Sequence, residues 1–161
     1  MNVSSPEPTP PETSEHDVGV LGLGYVGLPT AAVLATNGRR VAGFDLRRDI
    51  LDTINAGGIH IVEPELDALV RAAVLAGTLR AVPQPAPART HLICVPTPIT
   101  PDHRPDLSHV ESAANALVPV VRPGELHREH IVPIVDLLPA RHLVAVVIDL
   151  PFPQSFVPLE P

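Results

Sequence analysis

The run VGVLGLGYVGLP at 18–29 admits few folds. Val18 to Leu21 is a short apolar stretch that stops at glycine, the mark of a buried strand. Gly22, Gly24 and Gly27 follow in G-x-G-x-x-G spacing, and Leu28 to Thr36 then reads as helix, with Gly38 placed for a left-handed stop. Pro29 is tolerated if that helix begins near Tyr25 or Val26, because N–H groups of a first turn have no acceptor within the helix. The first glycine allows a tight turn, the second lets a pyrophosphate approach the backbone, and the third lets helix and strand pack closely. The helix start offers the N–H groups of Tyr25 and Val26 to phosphate oxygens. Arg40 to Asp45 is a second strand, and Asp45 ends it where a carboxylate can accept hydrogen bonds from both adenosine ribose hydroxyls.

A glycine turn by itself also serves plain packing. Strand, helix, second strand and terminal acid in register make this one a dinucleotide site. Asp45 would repel a 2′-phosphate, which favours NAD over NADP. Arg47 and Arg48 follow it and could reach a phosphate, but two solvated arginines opening a helix are the simpler account.

The same alternation continues. Asp49 to Asn55 carries Ile50, Leu51 and Ile54 on one helical face and stops at Gly57 and Gly58. Pro64 suits the first turn of a helix running to Ala76, with Leu66, Leu69, Val70, Ala73 and Val74 buried; Glu63 before it reads equally as a cap or as a site residue. Leu79 to Val82 and His91 to Val95 read as strands, and Ser108 with Glu111 form an S-x-x-E capping box for a helix through Leu117. Strand and helix alternate over 17–124, so the fold class is α/β: a partial Rossmann-type, doubly wound parallel sheet with helices on both faces. Residues 1–16, rich in Pro, Glu, Ser and Thr, read as a disordered leader. Residues 126–161 form an atypical, partly disordered tail, in which HLVAVVIDL at 142–150 is strand-like and suited to a sheet edge.

Composition narrows the function. A net charge of −7, with the arginines scattered, argues against a nucleic-acid binder. No apolar run approaches the roughly 20 residues of a membrane span, and a lone Cys94 suits a reducing compartment; the expected location is the cytoplasm. With no Trp, one Tyr and three Phe, the core must be aliphatic.

Three stretches taken together, GLGYVGLPTA at 22–31, INAGGIHIVEPELDALV at 54–70 and VPTPITPDHRPDLSHVESAA at 95–114, resemble the UDP-glucose/GDP-mannose dehydrogenase family. IHIVEPEL and the P-D-x-x-x-V-E-S-A run look most like its UDP-N-acetyl-D-mannosamine dehydrogenase branch. The resemblance implies an NAD-binding domain over 17–125 and, for the whole enzyme, NAD-dependent oxidation of a UDP-sugar C6 alcohol to a carboxylate. Carried over, Tyr25 and Val26 match loop positions over the pyrophosphate, Asp45 matches the ribose acid, and Thr97 in V-P-T-P matches a residue on the nicotinamide side.

The family's chemistry also implies a cysteine that traps the aldehyde as a thiohemiacetal, and a lysine with acid and amide groups for proton transfer. This chain has one cysteine, inside the apolar strand HLICV where it reads as core, and no lysine. No catalytic residue is therefore assigned. The fragment alone should be inactive, with a UDP-sugar as partner only if a missing half is supplied. The family's dimers use later segments, so none is expected. A stand-alone NAD-binding or regulatory module and one half of a split enzyme are the alternatives.

Near Glu125 the resemblance stops. One permissible back-translation of His127 to Pro133, CAT CGT GAG CAC ATC GTC CCC, read one base on gives Ile-Val-Ser-Thr-Ser-Ser-Pro. This is close to the Ser-Thr segment that the family would place there, so an out-of-frame tail is a candidate explanation. His127 and His130 give H-x-x-H without acid or thiol partners at useful spacing, so no metal is assigned.

Overall fold

The computed structural model describes residues 16–98, 100–102, 104–120, 131–134 and 143–149, the last two as backbone. The elements are β1 (His16–Leu21), α1 (Gly27–Thr36), β2 (Val41–Phe44), α2 (Arg48–Asn55), α3 (Leu66–Leu75), β3 (Leu79–Val82), β4 (Ala88–Pro96), α4 (Ser108–Leu117), β5 (Ile131–Ile134) and β6 (Leu143–Asp149). They build one sheet in the order β3-β2-β1-β4-β6-β5. The first four strands are parallel, as the alternation of elements requires. The order reverses between β1 and β4, and such a switch point opens a crevice at the carboxyl ends of the strands.

Period-2 alternation sends the two faces of each strand into two cores. Val20 of β1 and Cys94 of β4 join Leu28, Ala31, Ala32 and Ala35 of α1, Ile54 of α2 and Val70 of α3 on one side. Leu21 and Ile93 meet Ala113 and Leu117 of α4 on the other. Helices therefore cover both faces of the parallel part. Ile54 and Val70 are fully buried, each contributing on the order of 2 kcal/mol by removal from water. All three apolar residues assigned to the α2 face are buried, as are Leu66, Val70 and Ala73 of α3, whereas Leu69 and Val74 are only partly buried against the core.

Three local expectations are corrected. β1 begins at His16, paired with Ala88, so the leader reading loses that residue; the rest of it lies outside the described residues. Pro64 is not in a helical first turn: Glu65 adopts a left-handed φ of 62° and α3 starts only at Leu66, so the proline belongs to the turn before it. The Ser108/Glu111 box does not form, because Ser108 is already the first helical residue and its N–H donates instead to Asp106 Oδ1 at 2.9 Å. The parallel sheet expected over 17–124 is present as its four strands, and it is extended by β6, antiparallel to β4 from Thr90 to Pro96, and by β5, antiparallel to β6.

β6 is the strand-like stretch of the tail; it adds to the β4 side of the sheet as its pattern suggested, but β5 covers its other side, so it is not itself the edge. β5 was hidden by Pro133. A proline breaks a ladder from within, but β5 is the outermost strand, where one side needs no partner.

His91 is the conspicuous polar residue of the core, at 1% exposure. It lies opposite Gly19 in the β1–β4 register, and a Cβ at Gly19 would stand 2.5 Å from its Cδ2. Its Nε2 donates to the Ala86 carbonyl at 3.1 Å, which leaves Nδ1 as a buried acceptor without a partner among the described residues. Burial holds this imidazole below the ordinary histidine value.

Candidate dinucleotide site

The glycine loop leaves β1 between β2 and β4. Gly22 has φ +90° and its N–H donates to the Phe44 carbonyl at 2.8 Å, so the turn is pinned to the end of β2. A Cβ at Gly22 would meet the Cys94 carbonyl oxygen at 2.3 Å, and one at Gly27 would meet the Gly22 carbonyl oxygen at 1.7 Å. These two glycines are therefore required by the fold. Gly24 is different: a Cβ there would have no protein atom within 4 Å. The space over the middle of the loop is open, which is where a ligand backbone can come close.

α1 begins at Gly27, slightly later than the sequence pattern placed it, and Pro29 falls in its first turn as needed. The first amide to find a helical acceptor is that of Leu28, bonded to Gly24 O at 3.0 Å. The N–H groups of Tyr25 and Val26 have no acceptor among the described residues. Two free donors at a helix start, beside an open glycine, match the donor set that a pyrophosphate requires. The Tyr25 side chain stands largely in solvent, while Val26 packs against the core.

Asp45 follows β2, and both of its oxygens are held. Oδ2 accepts the Leu23 N–H and Oδ1 the Arg47 N–H, each at 3.0 Å. An ionised carboxylate offers about four lone-pair directions, so each oxygen keeps one for a hydroxyl. The group is fixed without being used up. Leu23 supplies the other half of this arrangement. It is fully buried, and its side chain fits against Gly43 of β2, where a Cβ would come within 2.7 Å of Cδ2. Leu23 and Gly43 had no visible role in the sequence; a large apolar residue at the x-position of G-x-G is the signal that could have marked the first.

Arg47 is paired with an acid of α2. Its Nε donates to Asp49 Oδ1 at 3.3 Å and its Nη2 to Asp49 Oδ2, a bidentate pair. Arg48 has no ion pair or hydrogen bond among the described residues. Thr97 directly follows β4 and is 5% exposed. Gly22, Asp45 and Thr97 thus follow the carboxyl ends of three adjacent parallel strands, β1, β2 and β4.

Cys94 lies inside β4, short of its carboxyl end. It is buried among the α1 side of the core, and that burial pushes its thiol up to about 11. His127 and His130 lie outside the described residues. No helix among the described residues is long and apolar enough to cross a membrane.

Known proteins share this arrangement. The chain is 56% identical over 109 residues to the NDP-N-acetyl-D-galactosaminuronic acid dehydrogenase of Ralstonia nicotianae, covering 68% of this chain and 26% of that protein. It is 50% identical over 113 residues to the UDP-N-acetyl-D-mannosamine dehydrogenase of Yersinia pestis, covering 70% and 27%. The solved UDP-N-acetyl-mannosamine dehydrogenase of Staphylococcus aureus superposes with a TM-score of 0.64 at 33% identity, covering 65% of this chain and 26% of that one. The chain thus spans about a quarter of the length of the relatives it matches. Residues 16–132 match the description "UDP-glucose/GDP-mannose dehydrogenase family, NAD binding domain", and the chain belongs to that family.

Proposed function

We propose that this chain is the cofactor-binding part of an NAD-dependent nucleotide-sugar dehydrogenase, and that it holds NAD without completing the reaction alone. Gly22 and Gly27 shape the loop, and Gly24 leaves room for the pyrophosphate. The Tyr25 and Val26 N–H groups receive its oxygens, Asp45 takes the adenosine ribose hydroxyls, and Thr97 lines the nicotinamide side. The observation that carries this reading is the Asp45 carboxylate, fixed by two backbone N–H groups beside an open glycine and two free amides.

NAD supplies a hydride acceptor, and taking an alcohol to a carboxylate transfers two hydrides, hence two NAD for each sugar. The sugar, in this reading a UDP-N-acetylhexosamine or UDP-glucose, needs groups that the described residues do not bring to the site. The one thiol is buried and raised, and no lysine exists to move a proton or balance an oxyanion. Turnover by this chain alone is therefore not expected. The cytoplasm remains the proposed setting, since both NAD and nucleotide sugars are met there.

A split enzyme, with a second polypeptide bringing the catalytic half, meets a structural obstacle. A strand continuing the parallel order would add beside β4, and β6 already pairs that edge over seven register positions. The second polypeptide would have to displace it. The family match runs to residue 132, into the segment read as out of frame, and the nucleotide sequence of the gene tests that reading by whether the shifted frame extends the match.

Calorimetric titration of the chain with NAD tests the main reading. Saturable binding that is abolished in Asp45→Ala while the variant still unfolds cooperatively supports it. A folded wild-type chain that gives no heat with NAD refutes it.

A further inference from the structure

Asp45 alone does not explain why a 2′-phosphate should be refused, because two arginines follow it. In dinucleotide folds the acid at the end of the second strand contacts the 2′-hydroxyl, and an arginine nearby is what accommodates a 2′-phosphate. Arg47 is in place for that: its own backbone N–H donates to Asp45 Oδ1, so its side chain departs from the rim of the ribose site. Its guanidinium is nonetheless committed, in bidentate fashion, to Asp49 in the first turn of α2. A guanidinium presents its donors in a rigid planar fork, and the edge turned to one carboxylate is lost to a phosphate.

We infer that Asp49 is a specificity-positioning residue, which holds Arg47 off the adenosine 2′ position and so sets NAD over NADP. The inference rests on the proposed dinucleotide site and adds to it a residue that contacts neither cofactor. Asp45 repels the phosphate directly; Asp49 acts one step back, by withholding the counter-charge. Arg48 differs, since its side chain has no partner among the described residues to be released from.

The pair is two-thirds exposed on both sides, so its hold is modest, and the effect is of the size of one solvent-screened contact. Asp49→Ala should bind NADP about fivefold more tightly than the wild type, with NAD affinity unchanged within about twofold. Calorimetry with NAD and NADP at one fixed, low ionic strength reads both. The gain should vanish in the Asp49→Ala/Arg47→Ala double variant, and it should be smaller in Asp49→Asn, which removes the charge but keeps an acceptor for Arg47.

Two results overturn the inference. One is unchanged NADP affinity in Asp49→Ala. The other is a gain that survives intact in the double variant, which would make Asp49 merely one negative charge near the site. Both leave NAD binding, and so the underlying site, standing. Absence of NAD binding by the folded wild-type chain sinks the site itself and the inference with it. Thermal melts of each variant, expected within a few degrees of wild type for an exposed pair, identify any loss of fold.

Discussion

Placing one methyl group on Gly27 and the same group on Gly24 should have opposite consequences. At Gly27 the new Cβ would stand 1.7 Å from the Gly22 carbonyl oxygen and 3.3 Å from Cys94 Cβ. A relaxed carbon–oxygen contact is roughly 3.3–3.6 Å, so the start of α1 or the Gly22 turn must retreat by well over an ångström. Neither can do so cheaply, because Gly22 is bonded to Phe44 O and α1 packs through Leu28, Ala31 and Ala35. Overpacking of this kind costs about 3 kcal/mol, offset by at most about 1 kcal/mol from replacing a helical glycine with alanine. The net loss of about 2 kcal/mol is a large part of the stability of a small domain and lowers its melting temperature by roughly 10 °C. At Gly24 nothing lies within 4 Å and no left-handed φ is required, so Gly24→Ala should melt within about 3 °C of wild type. Its methyl group occupies the space assigned to the pyrophosphate, and NAD affinity should fall at least tenfold. Circular-dichroism melts and NAD calorimetry on the two variants check both halves. A Gly27→Ala chain as stable as wild type, or a Gly24→Ala chain that binds NAD normally, refutes the division of the loop into a structural and a ligand-facing glycine.

Three other perturbations follow from the same geometry. Asp45→Asn keeps the shape but turns an amide toward one of the two N–H donors, so it should lose about 1–2 kcal/mol in chemical denaturation as well as NAD affinity; unchanged stability would mean that the Leu23 and Arg47 bonds do not matter. His91, held below its ordinary value by burial, must stay neutral in the fold, so between the two values the unfolded chain binds the extra proton. Its contribution is therefore complete above the unfolded value of 6.5 and is lost as pH falls below it; denaturation midpoints measured from neutral pH down to mild acid should drop for wild type and drop less for His91→Leu. With its thiol pushed up to about 11, Cys94 carries on the order of one thiolate in a thousand at pH 8, so alkylation should be slow in the folded chain and fast in denaturant; rapid labelling of the native protein would contradict its burial.

The site was legible because its parts lie close along the chain. Glycine spacing, the free amides of Tyr25 and Val26 and the acid after β2 depend on local turn and helix geometry, which a sequence writes out directly. The helices α2 and α3 could be read with their buried faces, since a 3.6-residue period records which side meets a core. Errors fell where two local signals competed. Ser108 and Glu111 spelled a cap, yet Asp106 reached the first-turn amide sooner. Pro64 suited a helix start, yet the left-handed turn at Glu65 came between.

By its sequence alone this chain determined a parallel α/β sheet, a glycine-rich loop between strand and helix with an acid after the second strand, and the lack of any lysine. These are properties of spacing and composition, and they hold whatever packs against them. Tertiary structure alone decided the rest. Whether Gly24 or Gly27 tolerates a side chain depends on the Gly22 carbonyl and the end of β4, brought alongside by pairing. The two-point hold on Asp45 joins it to Leu23 across the β1–β2 pair, and the commitment of Arg47 to Asp49 was one of several rotamers open to an exposed arginine. The edge of β4 taken by β6 is a contact between segments about 50 residues apart, set by which strand arrives. Local geometry is encoded residue by residue, whereas contacts across the sheet exist only once the strands have met.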